Sequence, residues 1–328
     1  MTELVSVVMA TFNGEKFLRA QIDSILNQSY SNIELVAVDD ASTDNTLGIL
    51  FEYASIDNRV KVYNLKKNIG FICNFERGIN LSKGEYIVLA DQDDIFRNDK
   101  ISLLLKVLLE NSACDLAISD LSLIDDSDFL IADSMWKKQK RNPPSGHPFK
   151  HLAHENFANG CAMMMRRKLL TKILPFPANC IVHDWWIAIV AASERSGGIC
   201  LVNESLTYYR QHDFNLIGCN ERDPISIFKN LVILFVNQGA SERYSVRKND
   251  LIKQISRING YLSVDIWSSN DKAYLLKYKC VLENLLNDEH NRIFKRISFI
   301  PQRIVYSMAT RSIRQIAEVL YFSIFPLR

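Results

Sequence analysis

Glu85-Tyr86-Ile87-Val88-Leu89-Ala90-Asp91-Gln92-Asp93-Asp94 is the stretch whose reading decides the fold. Residues 86–90 are short, apolar and rich in β-forming side chains, with Gly84 before them and Asp91, Asp93 and Asp94 just behind. That pattern is a buried strand whose C-terminal end opens into an acidic site. Asp91 and Asp93, at i and i+2 of an extended segment, point to the same side and can share one hard cation, whose other ligands would be waters and phosphate oxygens. The same residues also fit an acidic turn capping the next helix, because Asp94 and Asp99 lie close before the apolar stretch that begins at Ile101.

Working outward, strand and helix patterns alternate. Residues 5–10 predict a buried strand, 11–14 a turn and 15–27 a helix with apolar spacing of three to four; 33–38, 39–43 and a helix from Asp44 repeat the unit. Residues 59–63, the loop Asn68-Ile69-Gly70 and a helix over 71–81 repeat it again, and the 86–90 strand with a helix after Asn98 makes a fourth. Such units imply an α/β fold with a mostly parallel sheet covered by helices on both faces. Ligands of these sheets bind beyond the carboxyl ends of the strands, where all four polar loops converge. Further strands are expected at 115–119, 161–165, 199–202 and 206–209, and a helix from His183 to about residue 195. Residues 121–150 are polar, with Pro143-Pro144-Ser145-Gly146, and predict an irregular, mobile loop. From about residue 224 the period is helical, which divides the chain into an α/β domain over 1–222 and a helical region over 223–328.

The net charge of +2 hides an asymmetry: through Asp213 there are 22 Lys and Arg against 27 Asp and Glu, and beyond it 17 against 10. Seven cysteines without a Cys-x-x-Cys spacing argue against a zinc site or disulfide framework and predict free thiols in a reducing cytosol. No stretch approaches the apolar length of a membrane span, and no signal-peptide pattern opens the chain, so the expected location is cytoplasmic. No Gly-x-Gly-x-x-Gly follows the first strand and no Gly-Lys-Ser/Thr loop occurs, which removes the usual dinucleotide and P-loop fingerprints.

Val7-Val8-Met9-Ala10-Thr11-Phe12-Asn13, Val38-Asp39-Asp40-Ala41-Ser42-Thr43-Asp44, Asn68-Ile69-Gly70, Gly84-Glu85-Tyr86-Ile87 and Asp91-Gln92-Asp93-Asp94 together resemble the family 2, GT-A-fold inverting glycosyltransferases over roughly residues 1–215. The resemblance implies a Rossmann-like nucleotide-diphospho-sugar transferase. It places Asp40 on N3–H of a pyrimidine; an ionised carboxylate only accepts hydrogen bonds, which suits uracil or thymine and rejects cytosine. Thr11, Asn13, Asn68 and Gly70 would line the nucleotide pocket and Asp91 would reach the ribose. Asp93 would hold Mg²⁺ or Mn²⁺ against the donor diphosphate, with His212 of Tyr208-Tyr209-Arg210-Gln211-His212 completing that site and Arg210 reaching the diphosphate or making a surface ion pair. Asp184 of His183-Asp184-Trp185-Trp186 would be the catalytic base, a role compatible with capping the helix it opens. Trp185, Trp186, Asn159 and Gly160 would shape the acceptor side. The last two motifs look most like the rhamnosyltransferase branch, which uses dTDP-L-rhamnose to build O-antigen or other bacterial surface polysaccharide; UDP-hexose enzymes carry near variants. A catalytically silent nucleotide-sugar-binding scaffold is the reading from another class, disfavoured because Asp93, Asp184 and His212 occur together.

Residues 291–328 carry seven Lys or Arg and one acid, interleaved with aromatic and aliphatic side chains. This predicts either a basic amphipathic helix on an anionic membrane surface, suited to a polyprenyl-linked or growing glycan acceptor, or a packed helix with a solvated basic face. The acidic front and the lack of a recognisable module exclude nucleic acid as a partner.

Overall fold

The protein is described from a computed structural model, which covers residues 3–212 and 240–287. Among these, nine strands form one sheet: β1 (Val5–Thr11), β2 (Ile33–Asp39), β3 (Val60–Asn64), β4 (Tyr86–Ala90), β5 (Ile95–Phe96), β6 (Leu116–Ile124), β7 (Leu130–Ala132), β8 (Met163–Arg166) and β9 (Ile199–Arg210). Their order is β3-β2-β1-β4-β8-β6-β9-β5, with β7 on β6. The first four are mutually parallel; β8 runs antiparallel to both β4 and β6, and β6 and β9 are parallel.

Every residue of β2, β4 and β6 is buried, which is why β4 reads as a continuous apolar run, whereas β2 and β6 bury polar side chains such as Glu34 and Asp120 in hydrogen bonds. Helices α1 (Leu18–Leu26), α2 (Thr46–Ile56), α3 (Phe71–Leu81) and α4 (Lys100–Glu110) follow the first strands. Ile22 and Ile25 of α1 and Leu104 and Leu108 of α4 enter one core with Val7, Leu35 and Val88. On α3, Gly78 permits close approach to the sheet, since a Cβ there would lie 2.4 Å from Val8 Cγ1.

Several expectations are corrected. Residues 121–150 carry more regular structure than expected: β6 continues to Ile124, then come β7, α5 (Met135–Lys138) and α6 (Phe149–His154), while residues 143–146 are irregular. Buried Asp120 ties the segment to β6, accepting from the backbone N–H groups of Leu121 at 2.7 Å and Trp136 at 3.1 Å, and from Ser134 Oγ. The two strands expected between 199 and 209 are one, β9, whose pairing with β6 shifts register near Asp120. Cys114 and Cys200 form a disulfide with Cα atoms 6.1 Å apart, because β6 and β9 lie side by side there. That removes the free-thiol argument for a cytosolic location, although Cys73, Cys161 and Cys180 are free.

After α7 (Leu170–Ile173) and α8 (His183–Ala191), the described helical region consists of α9 (Ala240–Leu262) and α10 (Ser269–Asn287). The chain divides into two compact units, and residues 260–275 group with the α/β unit rather than with the rest of the helical region. Tyr261 and Trp267 pack at 5.6 and 5.7 Å from Trp186, and Asp271 accepts from Glu194 N–H at 3.0 Å. No described helix is long and apolar enough to cross a membrane, and the basic 291–328 segment lies outside the described residues.

Candidate active site

The site forms where β1, β2, β4 and β9 end. Thr11 and Asp39 are register partners, so the loops after β1 and β2 start side by side. Asp39 is fully buried and knits them, accepting from Thr11 Oγ1 at 3.0 Å and from the Ser42 N–H and hydroxyl at 2.9 and 2.5 Å. Thr11 therefore lies beneath the pocket and not on its wall. Asn13 adopts a left-handed φ of 49° and accepts from Thr43 N–H at 2.8 Å, leaving Phe12 and Asn13 exposed.

Asp40 is buried, and its two oxygens accept the N–H groups of Ile69 and Gly70 at 2.7 and 2.9 Å. Asn68 Oδ1 takes a second bond from Gly70 N–H at 3.0 Å, and Gly70 holds a φ of +84° that favours glycine. The loop after β3 is thus folded onto Asp40. A carboxylate has about four lone-pair sites, so acceptor capacity remains for a base edge.

Beyond β4 the chain bends, so Asp91 and Asp93 do not pair as i and i+2 of a strand. Asp93 Oδ2 lies 2.8 Å from His212 Nε2, bringing together two residues far apart in sequence. Asp91 instead groups with Asp94 and Cys161, their ligand atoms all within 4.8 Å of one another. Burial, with the Asp93 and Asp184 charges next, pushes the Asp91 carboxyl up to about 7. Burial also pushes Asp94 well up, with Asp93 and Asp91 adding to it, and one Asp94 oxygen has no hydrogen-bond partner. Beneath them Lys100 is fully buried, donating to the Cys161 carbonyl with its ammonium over the Phe96 ring; burial lowers it to about 7. This inner cluster already contains its cation. Asp99 pairs with Arg97 at 2.5 Å, and its side chain makes no capping bond to α4.

Of the two groups, the Asp93–His212 pair fits a divalent metal: one carboxylate and one imidazole, 19% and 11% exposed, leave room for waters and phosphate oxygens. Gln92 is turned away, its amide exchanging bonds of 2.9 and 3.0 Å with the Phe12 backbone.

Across the rim, Asp184 stands in the first turn of α8, where Val182 and not Asp184 is the capping position. Gly160 N–H and Asn156 Nδ2 donate to its carboxylate at 3.2 and 3.1 Å. Burial raises it to about 6 despite those bonds. Gly160 adjoins Cys161, a member of the Asp91 cluster, and the Asp184 charge acts on Asp91, so Asp184 and the acidic cluster are neighbours. Asn159 is half-buried beside it. The two tryptophans separate: Trp185 is half-buried with its indole N–H on the Leu152 carbonyl at 2.6 Å, whereas Trp186 is 1% exposed and bonds the Ile173 carbonyl at 2.8 Å. Trp186 is core and cannot meet an acceptor. Arg210, expected at the diphosphate or in a surface ion pair, is buried and pairs with the exposed Asp128 at 2.5 Å; its Nε donates to the Asp93 carbonyl at 2.7 Å and its Nη1 to the Asp125 carbonyl at 3.0 Å. Asn156, Lys100 and the inward contacts of Arg210 carry no recognisable sequence signal, because each depends on a contact across 28 or more positions.

A model of the family described as Glycosyl transferase family 2 matches residues 6–174, just over half of the chain. An uncharacterized glycosyltransferase of Haemophilus influenzae is 27% identical over 309 residues, covering 86% of this chain and 93% of that protein. The dTDP-rhamnosyl transferase RfbG of Shigella flexneri is 29% identical, covering 65% and 74%. Among solved structures, the mannosyltransferase PcManGT from Pyrobaculum calidifontis, in complex with GDP-Man and Mn²⁺, superposes with a TM-score of 0.52 at 15% identity, covering 94% of this chain and 84% of that one. That likeness concerns the fold.

Proposed function

The chain belongs to glycosyl transferase family 2, and on that premise we propose that it moves a sugar, with inversion, from a nucleoside-diphosphate donor to an acceptor hydroxyl. The observation that carries the reading is that Asp184, a buried carboxylate raised to about 6, is near enough to Asp91 for its charge to raise that carboxyl, while Asp93 lies 2.8 Å from His212. Inversion is a single displacement and needs one carboxylate opposite the leaving group. At neutral pH Asp184 is ionised and takes the acceptor's proton; the Gly160 and Asn156 donors fix its direction. Asp40 accepts N3–H of uracil or thymine, Asn13, Asn68 and Gly70 border the base and ribose, and Asp91 lies towards the ribose. Asp93 and His212 would hold Mg²⁺ or Mn²⁺, which when bound supplies positive charge against the developing diphosphate. Trp185, Asn159 and Gly160 border the acceptor.

The donor we favour is dTDP-L-rhamnose, for bacterial surface polysaccharide such as O-antigen. The relatedness to RfbG supports this, and Asp40 suits thymine; a UDP-hexose shares the same base edge. The catalytic unit is residues 1–222 with 260–275 added, and the basic 291–328 segment meets an anionic membrane face that carries a polyprenyl-linked acceptor. Donor choice is tested by offering dTDP-rhamnose, UDP-glucose, UDP-GlcNAc and GDP-mannose with Mn²⁺ and following slow hydrolysis. Preference for dTDP-rhamnose is expected; exclusive hydrolysis of GDP-mannose would overturn the assignments of Asp40 and of the sugar.

A further inference from the structure

Arg210 is the largest buried charge of the site that the proposed reaction leaves without a task. Its side chain is 2% exposed, yet it pairs at 2.5 Å with Asp128, a carboxylate 63% exposed on the turn between β6 and β7. One side of the guanidinium holds the main chain of Asp93 at 2.7 Å, and the Arg210 N–H holds Asp94 at 3.1 Å. The guanidinium also lies over the Phe17 ring at 4.4 Å, and that ring packs 5.1 Å from the His212 imidazole. Arg210 thus touches the backbone of one half of the Asp93–His212 pair and, through Phe17, supports the other.

The turn is built to present this anchor. Asp125 Oδ1 accepts from Ser127 and Phe129 N–H groups at 2.9 Å each, and Asp128 takes a left-handed φ of 67°. Asp126, its neighbour, pairs instead with Lys16 at 3.3 Å. Exposed ion pairs contribute little on their own. Here one partner is buried, so loss of Asp128 removes the carboxylate that pulls on Nη1, leaving the Asp125 and Asp93 carbonyls to hold the guanidinium and loosening its hold on Asp93.

We propose that Arg210 and Asp128 form a brace that positions Asp93 and His212 for a divalent cation, making the β6–β7 turn a remote part of the metal site. This rests on the metal reading of that pair. Arg210 and Asp128 are positioning residues; neither is assigned a contact with substrate. Outer partners of metal ligands change affinity by about 10- to 100-fold when removed.

The test measures Mn²⁺ affinity by the electron paramagnetic resonance signal of free Mn²⁺ at saturating UDP, and UDP affinity by calorimetry without metal. Asp128→Asn and Arg210→Lys should each weaken Mn²⁺ binding by about tenfold or more, while metal-free UDP binding stays near wild type. Asp126→Asn, on the same turn, should change neither. The brace is overturned if Asp128→Asn binds Mn²⁺ as wild type does, or if Asp126→Asn weakens it equally. A loss of metal-free UDP affinity in Arg210→Lys would make Arg210 a phosphate ligand instead. Failure of the wild-type protein to bind Mn²⁺ at all would contradict the metal reading beneath the proposal.

Discussion

Replacing Asp184 by Asn should make the protein more stable and nearly inactive. The carboxyl titrates near 6 in the fold against an ordinary value of 3.8, and burial is the largest cause. The folded state therefore binds the proton more tightly than the unfolded chain. Stability from this group is fully present below about pH 4 and is lost as pH rises through about 6. At pH 7.5 the buried charge costs about 3 kcal/mol, from roughly two pKa units. Asn removes that cost, but its amide cannot accept from both Gly160 N–H and Asn156 Nδ2, which returns about 1 kcal/mol. Urea unfolding should thus show Asp184→Asn more stable by about 1–2 kcal/mol at pH 7.5, with the gain absent at pH 4. Transfer should fall by roughly 10²- to 10⁴-fold, and wild-type turnover should rise with pH through about 6. A variant with wild-type turnover would show that Asp184 is not the base, and one destabilised at pH 7.5 would refute the cost of its buried charge.

Asp40→Ala should weaken UDP and dTDP alike by about tenfold or more, the worth of one charge-assisted hydrogen bond, and lower stability because the Ile69 and Gly70 N–H groups lose their acceptor; calorimetry checks the affinities, and loss of only one of the two would place base recognition on other groups. Trp186→Ala should cost about 3–5 kcal/mol of stability by emptying its core site, whereas Trp185→Phe should move acceptor KM while leaving the unfolding midpoint nearly in place. Truncation after Glu289 should abolish salt-sensitive co-sedimentation with anionic liposomes, at about 1 kcal/mol for each nearby Lys or Arg, and spare donor binding. Equal sedimentation of both forms would make the tail ordinary packing.

The repeated strand–loop–helix units were legible because their signal is local. The 86–90 strand and the 71–81 helix are found with the expected bounds, and runs such as 33–38 are buried along their whole length. The order of the sheet beyond β4 was not legible, since β8 inserts antiparallel between β4 and β6. In the site, motif reading singled out Asp93 and His212, which the fold brings to 2.8 Å. It could not tell Trp185 from Trp186, because α8 has apolar neighbours on both sides and only the Tyr261 and Trp267 contacts decide which ring is core. Thr11 and Arg210 read as outward-facing for a related reason. Thr11 is satisfied inward by Asp39, 28 positions away, and Arg210 is drawn inward by the Asp93 carbonyl while it keeps an ion pair with the exposed Asp128.

The central claim is that the Asp93–His212 side and the Asp184 side are two halves of one metal-assisted transfer site. Release of nucleoside diphosphate from the preferred donor tests it most directly, measured with Mn²⁺, with EDTA, and in Asp93→Asn. Release should require the metal, and Asp93→Asn should abolish it while its unfolding transition stays cooperative. Undiminished release in EDTA, or from Asp93→Asn, would contradict it.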